Sequence, residues 1–254
     1  MKKPQYDLIV FDLAGTLIDE GSNGPIAALQ YALAIYGYST TEGQIRADMG
    51  MSKRAHIRKI LTEAWSKNGA SHGMNRRTVD ELVENIHCAF EDRIIERSEE
   101  FAKPIEGALE LLTHLRRPHG NRDRTKVALT TGYPRKVKDS LLHAAASQYG
   151  MVQYDASTSS SEVSLGRPAP FMIYESMMKT GTADPRRVIK VGDTAVDMQA
   201  GKTAGAFCIG LAGTGNLSTL SNDEAFRVMT QAGADVMVED HKALATLLIE
   251  ELEL

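Results

Sequence analysis

The feature that most constrains this chain is a short, almost unbroken apolar run, Tyr6 to Phe11, that stops at Asp12 and passes into Leu13-Ala14-Gly15-Thr16. A strand that is apolar throughout is buried on both faces, and such strands belong to parallel sheets covered by helices. Runs of the same kind recur at Lys126 to Leu129, Val188 to Val191, Ala206 to Ile209 and Asp235 to Val238, separated by stretches with helical spacing. The alternation predicts an α/β fold with helices on both faces of a parallel sheet. Ligands of such sheets gather in the crevice beyond the carboxyl ends of the strands.

The stretch from Glu20 to Pro104 breaks this rhythm, having helical patterns and no convincing strand. Ile26, Leu29, Leu33 and Tyr36 recur every three to four residues, and Leu82, Ile86, Phe90 and Ile94 every four, so each set lines one face of a helix. A polar break, Ser71 to Asn75, lies between them. The expected organisation is a core of residues 1–19 and 105–254 with a helical cap, residues 20–104, inserted after the first strand. No internal repeat is evident, and the serine-rich Ser157 to Ser161 reads as a mobile loop.

Charge and cysteine content exclude several classes of function. Of the 254 residues, 29 are Lys or Arg and 33 are Asp or Glu, a net charge of −4, so no overall positive field draws the chain to nucleic acid. Cys88 and Cys208, in apolar surroundings and far apart, read as reduced, packed thiols, which fits a cytoplasmic protein. The first apolar run is interrupted by Asp12 too early to make a signal peptide or a membrane span, and no later segment does better. The remaining partners are a small molecule and other copies of the chain.

Four loops carry the chemistry. Asp12 ends the first strand beside a small-residue turn that lets backbone N–H groups approach an anion, and a carboxylate so placed is a nucleophile for phosphorus. Val188 to Asp197 is a strand running into a loop with two carboxylates, Asp193 and Asp197. Magnesium takes hard oxygen ligands, and Asp12 with Asp193 makes a pair for it; Asp197 either joins them or caps the following helix. Thr130, Thr131 and Gly132 offer hydroxyls and open backbone to phosphate oxygens, and Arg167, in Gly166-Arg167-Pro168, offers a two-pronged donor. Ala200-Gly201-Lys202-Thr203 imitates a phosphate-binding loop, but its first glycine would fall at Val196. Gly213 and Gly215 read as turn residues.

Taken in order, D-L-A-G-T, T-T-G-Y, G-R-P-A-P and V-G-D-T-A-V-D resemble the motifs of the haloacid dehalogenase-like superfamily over the whole chain. The resemblance implies a Rossmann-like core, a helical cap and a magnesium-assisted aspartyl-phosphate intermediate. Most phosphatases of that superfamily carry an acidic residue two positions after the nucleophile; here it is Ala14. Met49-Gly50-Met51-Ser52-Lys53-Arg54-Ala55-His56 resembles the cap motif of the phosphonoacetaldehyde hydrolase family, in which the lysine forms a Schiff base with the substrate aldehyde and alanine follows the nucleophile as it does here. Leu13 stands where that family often has tryptophan, and Ser22 where it sometimes has cysteine.

This resemblance implies Asp12, Lys53 and His56 as catalytic residues, with Met49, Thr130, Thr131, Gly132 and Arg167 against the substrate. It also implies Asp12, Ala14 and Asp193 at a Mg²⁺ site with Asp197 behind them, and a homodimer formed through the cap. The chemistry agrees: breaking a carbon–phosphorus bond needs an electron sink, which an imine on Lys53 provides, with His56 on the same helical face to carry protons. The expected reaction is hydrolysis of phosphonoacetaldehyde to acetaldehyde and phosphate. The rivals are the same imine chemistry on another phosphonoaldehyde, a phosphate-ester hydrolase that manages without the usual acid, and a non-catalytic phosphonate sensor.

Overall fold

A computed structural model of the chain describes residues 6–67, 76–117 and 124–252; the polar break at Ser71 to Asn75 lies outside the described residues. Six strands, β1 (Leu8–Asp12), β2 (Lys126–Thr131), β3 (Ala156–Ser159), β4 (Val188–Gly192), β5 (Phe207–Leu211) and β6 (Val236–Val238), form one parallel sheet in the order β3-β2-β1-β4-β5-β6. β1 is the central strand, and Leu8, Ile9, Val10 and Phe11 are fully buried, as a strand covered on both faces requires. From β1 the strand order runs outward in both directions, so its carboxyl end, at Asp12, opens into the crevice where the direction reverses.

The expected strands are present, and β3 is an addition. The segment read as a mobile loop instead pairs with β2, Leu129 opposite Ser157 and Thr131 opposite Ser159, and Thr158 and Ser159 are fully buried. Its hydroxyl side chains carry no apolar signal; the backbone ladder and a short turn at Ser160–Glu162 hold it, with Glu162 gripping Lys138 at 2.8 Å and the Ser159 amide at 2.7 Å.

Helices α1 (Asn23–Ile35), α2 (Glu42–Arg46), α3 (Lys53–Lys67), α4 (Arg76–Glu96) and α5 (Ser98–Phe101) form the insertion. Both apolar stripes point inward: Ile26, Leu29, Leu33, Ile86, Phe90 and Ile94 are buried, with Leu82 half-buried and Tyr36 at the rim. Cys88 is exposed, contrary to the sequence reading, because two residues after Ile86 the helix has turned away from the stripe; Cys208 is buried as expected. The chain enters and leaves the cap through paired segments. Ile18 bridges Pro104, the Asp19 amide donates to the Lys103 carbonyl at 3.1 Å, and the Ile105 amide donates to Leu17 at 2.9 Å.

The core continues with α6 (Ala108–Leu115), α7 (Arg135–Tyr149), α8 (Phe171–Thr180), α9 (Ala195–Ala204), α10 (Asn222–Ala232) and α11 (His241–Ala245). No helix among the described residues is long and apolar enough to cross a membrane. The Ala200-Gly201-Lys202-Thr203 stretch lies in α9, where Gly201 sets how closely the helix rests on the sheet: a Cβ there would come within 2.5 Å of Cys208 Sγ and 3.1 Å of Lys190 Cβ. On a free helix Gly→Ala gains about 1 kcal/mol, whereas overpacking a core costs about 1–3 kcal/mol. Gly201→Ala is therefore expected to destabilise the fold by about 1 kcal/mol net, seen as a lower urea midpoint with unchanged slope; a raised midpoint would contradict the close packing.

Candidate active site

The floor of the crevice is built by the ends of β1 and β4. Asp12, the last residue of β1, meets Asp193, just past β4, and Asp197, in the first turn of α9; an oxygen from each lies within 4.8 Å of the others, and all three are buried. Their electrostatic positions differ. Asp197 contacts Arg167 and the Thr194 hydroxyl closely and Lys190 Nζ at 2.9 Å; burial pushes its pKa up, but these partners hold it at about 2. It is a fixed anion that anchors two cations.

Asp193 accepts from the Thr16 hydroxyl at 2.8 Å and from the Asn216 amide at 2.7 Å, and no basic side chain pairs with it among the described residues. Burial, then the charges of Asp12 and Asp197, push its pKa up to about 7. Asp12 is likewise raised by burial, although Arg167 Nη1 lies 3.0 Å from its Oδ1. Two buried carboxylates that both hold protons too readily mark a place short of one positive charge. The donor set fits a hard divalent cation: Asp12 and Asp193 bring carboxylate oxygens, and Ala14, beside them, can bring only its backbone oxygen.

The sequence reading passed over the residues that fix Asp193. A Cβ on Gly15, whose φ is +84°, would strike Asp193 Oδ2 at 2.5 Å, and one on Gly215 would strike it at 2.0 Å. Gly215, read as a turn residue, therefore lets the backbone close on the carboxylate. Lys190 was also missed, although its signal was present, since a lysine inside a buried strand must have a partner. It is fully buried and donates to the Val191 carbonyl at 2.9 Å as well as pairing with Asp197.

The cap supplies the roof. Met49 and Gly50, in the turn before α3, and Lys53, its first residue, face Asp12, Ala14, Thr131, Gly132, Tyr133 and Arg167 across about 20 Å³ of free space, room for a water but not for a phosphoryl group. In this structure the space between roof and floor is smaller than a phosphoryl group. They meet through glycines: a Cβ on Gly132 would strike the Met51 carbonyl at 2.9 Å, and one on Gly50 would strike Val196 at 2.5 Å and Thr194 at 2.7 Å.

Lys53 is only 4% exposed. Its Nζ lies 3.6 Å from Met49 Sδ and 5.8 Å from the ring centres of both Phe90 and Tyr133, which stack on each other at 6.1 Å. Burial and the Arg167 charge bring its pKa down to about 8 against the opposing pull of Asp12. The apolar stripe predicts Phe90 as cap core alone; its second face, against the amine, has no sequence signal. Thr131 lines the space, while the Thr130 hydroxyl is turned into the sheet, donating to the Phe11 carbonyl at 3.2 Å and approached by Lys190 Nζ at 3.4 Å. His56 stands one turn along α3, fully buried, with neither ring nitrogen hydrogen-bonded among the described residues and its pKa lowered to about 3 by burial and by Lys53. It does not line the space under the roof. A roomier cleft of about 690 Å³, beside the cap's junction with the core at Ile105 and Glu20, contains none of these residues.

The sequence pattern of the haloacid dehalogenase-like hydrolases matches residues 9–211. A phosphonoacetaldehyde hydrolase of Bacteroides fragilis is 34% identical over 224 residues, 88% of this chain and 82% of its own length. One of Latilactobacillus sakei is 32% identical, covering 94% of each chain. The crystal structure of a phosphonoacetaldehyde hydrolase-like protein from Oleispira antarctica superposes with a TM-score of 0.80 at 25% identity, covering 98% of this chain and 92% of that one. The chain is thus an enzyme of the phosphonoacetaldehyde hydrolase family, within the haloacid dehalogenase-like hydrolases.

Proposed function

We propose that the enzyme hydrolyses phosphonoacetaldehyde to acetaldehyde and phosphate through an imine on Lys53 and an aspartyl phosphate on Asp12. The observation that carries this reading is a desolvated lysine facing a buried carboxylate across a small cavity in which Ala14 leaves no acid for a departing alcohol. The names of the relatives support the substrate class.

The amine of Lys53 attacks the aldehyde carbon and, with loss of water, becomes a protonated imine. Asp12 then attacks phosphorus in line; the electrons of the carbon–phosphorus bond move into the carbon–carbon bond and give an enamine. The enamine takes up a proton at carbon, and hydrolysis of the resulting imine frees acetaldehyde and Lys53. Water attacks the aspartyl phosphate to release phosphate. Arg167, held by Asp12 and Asp197, points its guanidinium into the cavity where phosphoryl oxygens would lie, with Thr131 and the Gly132 backbone alongside. Asp12, the Ala14 carbonyl and Asp193 would hold Mg²⁺, which supplies charge neutralisation between nucleophile and phosphoryl group. His56, the proton carrier that the resemblance implies, lies one turn along α3 and does not line the space in which the aldehyde would react.

Lys53→Arg is expected to abolish phosphate release from phosphonoacetaldehyde, because guanidinium forms no imine. Borohydride added during wild-type turnover should leave a two-carbon adduct on Lys53 by mass spectrometry. Retention of most activity in K53R would favour the phosphate-ester alternative.

Because the Lys53 pKa is lowered to about 8, the reactive neutral amine accumulates as pH rises through that value. The limiting rate of adduct formation is expected to fall about tenfold per unit below pH 8 and to level off above it; a flat profile from pH 6 to 9 would contradict a rate-limiting free amine.

Chelation should stop turnover and Mg²⁺ should restore it. Asp193 carries a proton below about pH 7 and must lose it to act as a ligand. Mg²⁺ affinity by titration calorimetry is therefore expected to weaken about tenfold per unit below pH 7, and Asp193→Asn should remove this dependence along with most of the affinity.

A further inference from the structure

Lys53 lines a second pocket besides the small closed space. About 210 Å³ in volume, it lies on the seam between cap and core, with Ser52, Arg54 and His87 on the cap side and Ser160, Ser161 and Ser164 on the core side. A cavity needs about 10–15 Å³ of such space to hold a water, so this one has room for several, whereas the space above Asp12 holds about one. His87 stands on α4 three residues before Phe90, whose ring lies against the Lys53 amine. It is 1% exposed, and its Nδ1 has no hydrogen-bond partner among the described residues; Glu91 Oε1, at 4.0 Å, is beyond reach. Arg54 and Glu84, joined by two hydrogen bonds of 2.7 Å, lie nearby at the surface. Burial and the charge of Arg54, opposed by Glu84 and aided least by Lys53, lower the imidazole pKa to about 4, so it is neutral and returns a proton readily. None of the sequence motifs includes it.

We propose that this seam pocket is the water and proton channel of Lys53 and that His87 is the positioning residue that relays the proton through water held there. The inference rests on the imine reading above. In forming the imine, the Lys53 ammonium passes one proton through the pocket to His87. The nitrogen lone pair bonds to the aldehyde carbon, the carbonyl π electrons move to oxygen, and a second nitrogen proton follows them to give the carbinolamine. His87 returns its proton to the hydroxyl, the carbon–oxygen bond breaks, and the nitrogen lone pair closes the C=N bond. The net change is ammonium plus aldehyde to protonated imine plus one water, with His87 regenerated. The expelled water has the 210 Å³ pocket to enter, and the water for the later hydrolysis returns from it. His56 lines neither cavity that Lys53 shares.

The test separates imine formation from phosphorus chemistry by using acetaldehyde and cyanoborohydride alone, with the rate of the Lys53 adduct read by quenched-flow mass spectrometry. His87→Asn is expected to slow adduct formation at least tenfold, to leave inhibition by inorganic phosphate unchanged, and to recover part of the rate when imidazole is added. Ser164→Leu, on an exposed stretch of loop, should fill the pocket and slow the adduct without touching α4, which keeps the test open if H87N does not fold. Wild-type adduct rates in H87N or in S164L would overturn the proposal, as would loss and imidazole rescue confined to His56→Asn. Absence of any adduct in the wild type would instead overturn the imine reading and this inference with it.

Discussion

Charge held away from water at the carboxyl edge of β1 is the constraint on which the rest of the site depends. Three buried carboxylates meet two buried cations, Arg167 and Lys190, and both cations are committed first to Asp197. Taking ions out of water costs several kcal/mol each unless geometry and hydrogen bonds restore it. Asp197 is repaid in full, Asp193 only by two hydrogen bonds, and Asp12 by one ion pair shared with another acid. The asymmetry separates an anchor from two acids left short of a cation, which the proposed scheme uses as metal ligands and, in Asp12, as the nucleophile.

The same exclusion of water works in the opposite direction on the roof. Lys53 is surrounded by a thioether and two aromatic faces, with an arginine across the gap, so its ammonium form is disfavoured. Both effects require a closed cap. Closure depends on backbone-to-backbone approach at Gly50 and Gly132, where any side chain would hold the layers apart. The paired entry and exit segments around Ile18 and Pro104 carry the chain between cap and core side by side.

Much of this was legible in the amino-acid order, and the omissions have physical causes. Apolar runs announced five of the strands, but β3 is made of alanine, serine and threonine and is held by its backbone, to which hydropathy is blind. The stripes on α1 and α4 gave the cap's interior, yet a stripe does not tell which residues carry a second duty, as Phe90 does against Lys53. Thr130 and Thr131 were equivalent as letters; strand alternation sends one hydroxyl into the sheet and leaves the other facing the crevice. Gly215 and Lys190 were visible but unread, because each has meaning only beside a carboxylate far along the chain.

What the sequence by itself determined is the list of parts and their local settings: an aspartate at the end of a buried strand, an alanine in place of an acid two residues on, a lysine at the start of a cap helix, and the strand rhythm that makes the crevice. These follow from short-range periodicity and residue chemistry. Only the tertiary structure decided that Lys53 is dry, that Asp197 rather than Asp193 takes the cations, and that His87, absent from every motif, shares a pocket with the amine. Desolvation and ion pairing are set by whatever surrounds a group in space, and those neighbours come from segments that no spacing along the chain connects.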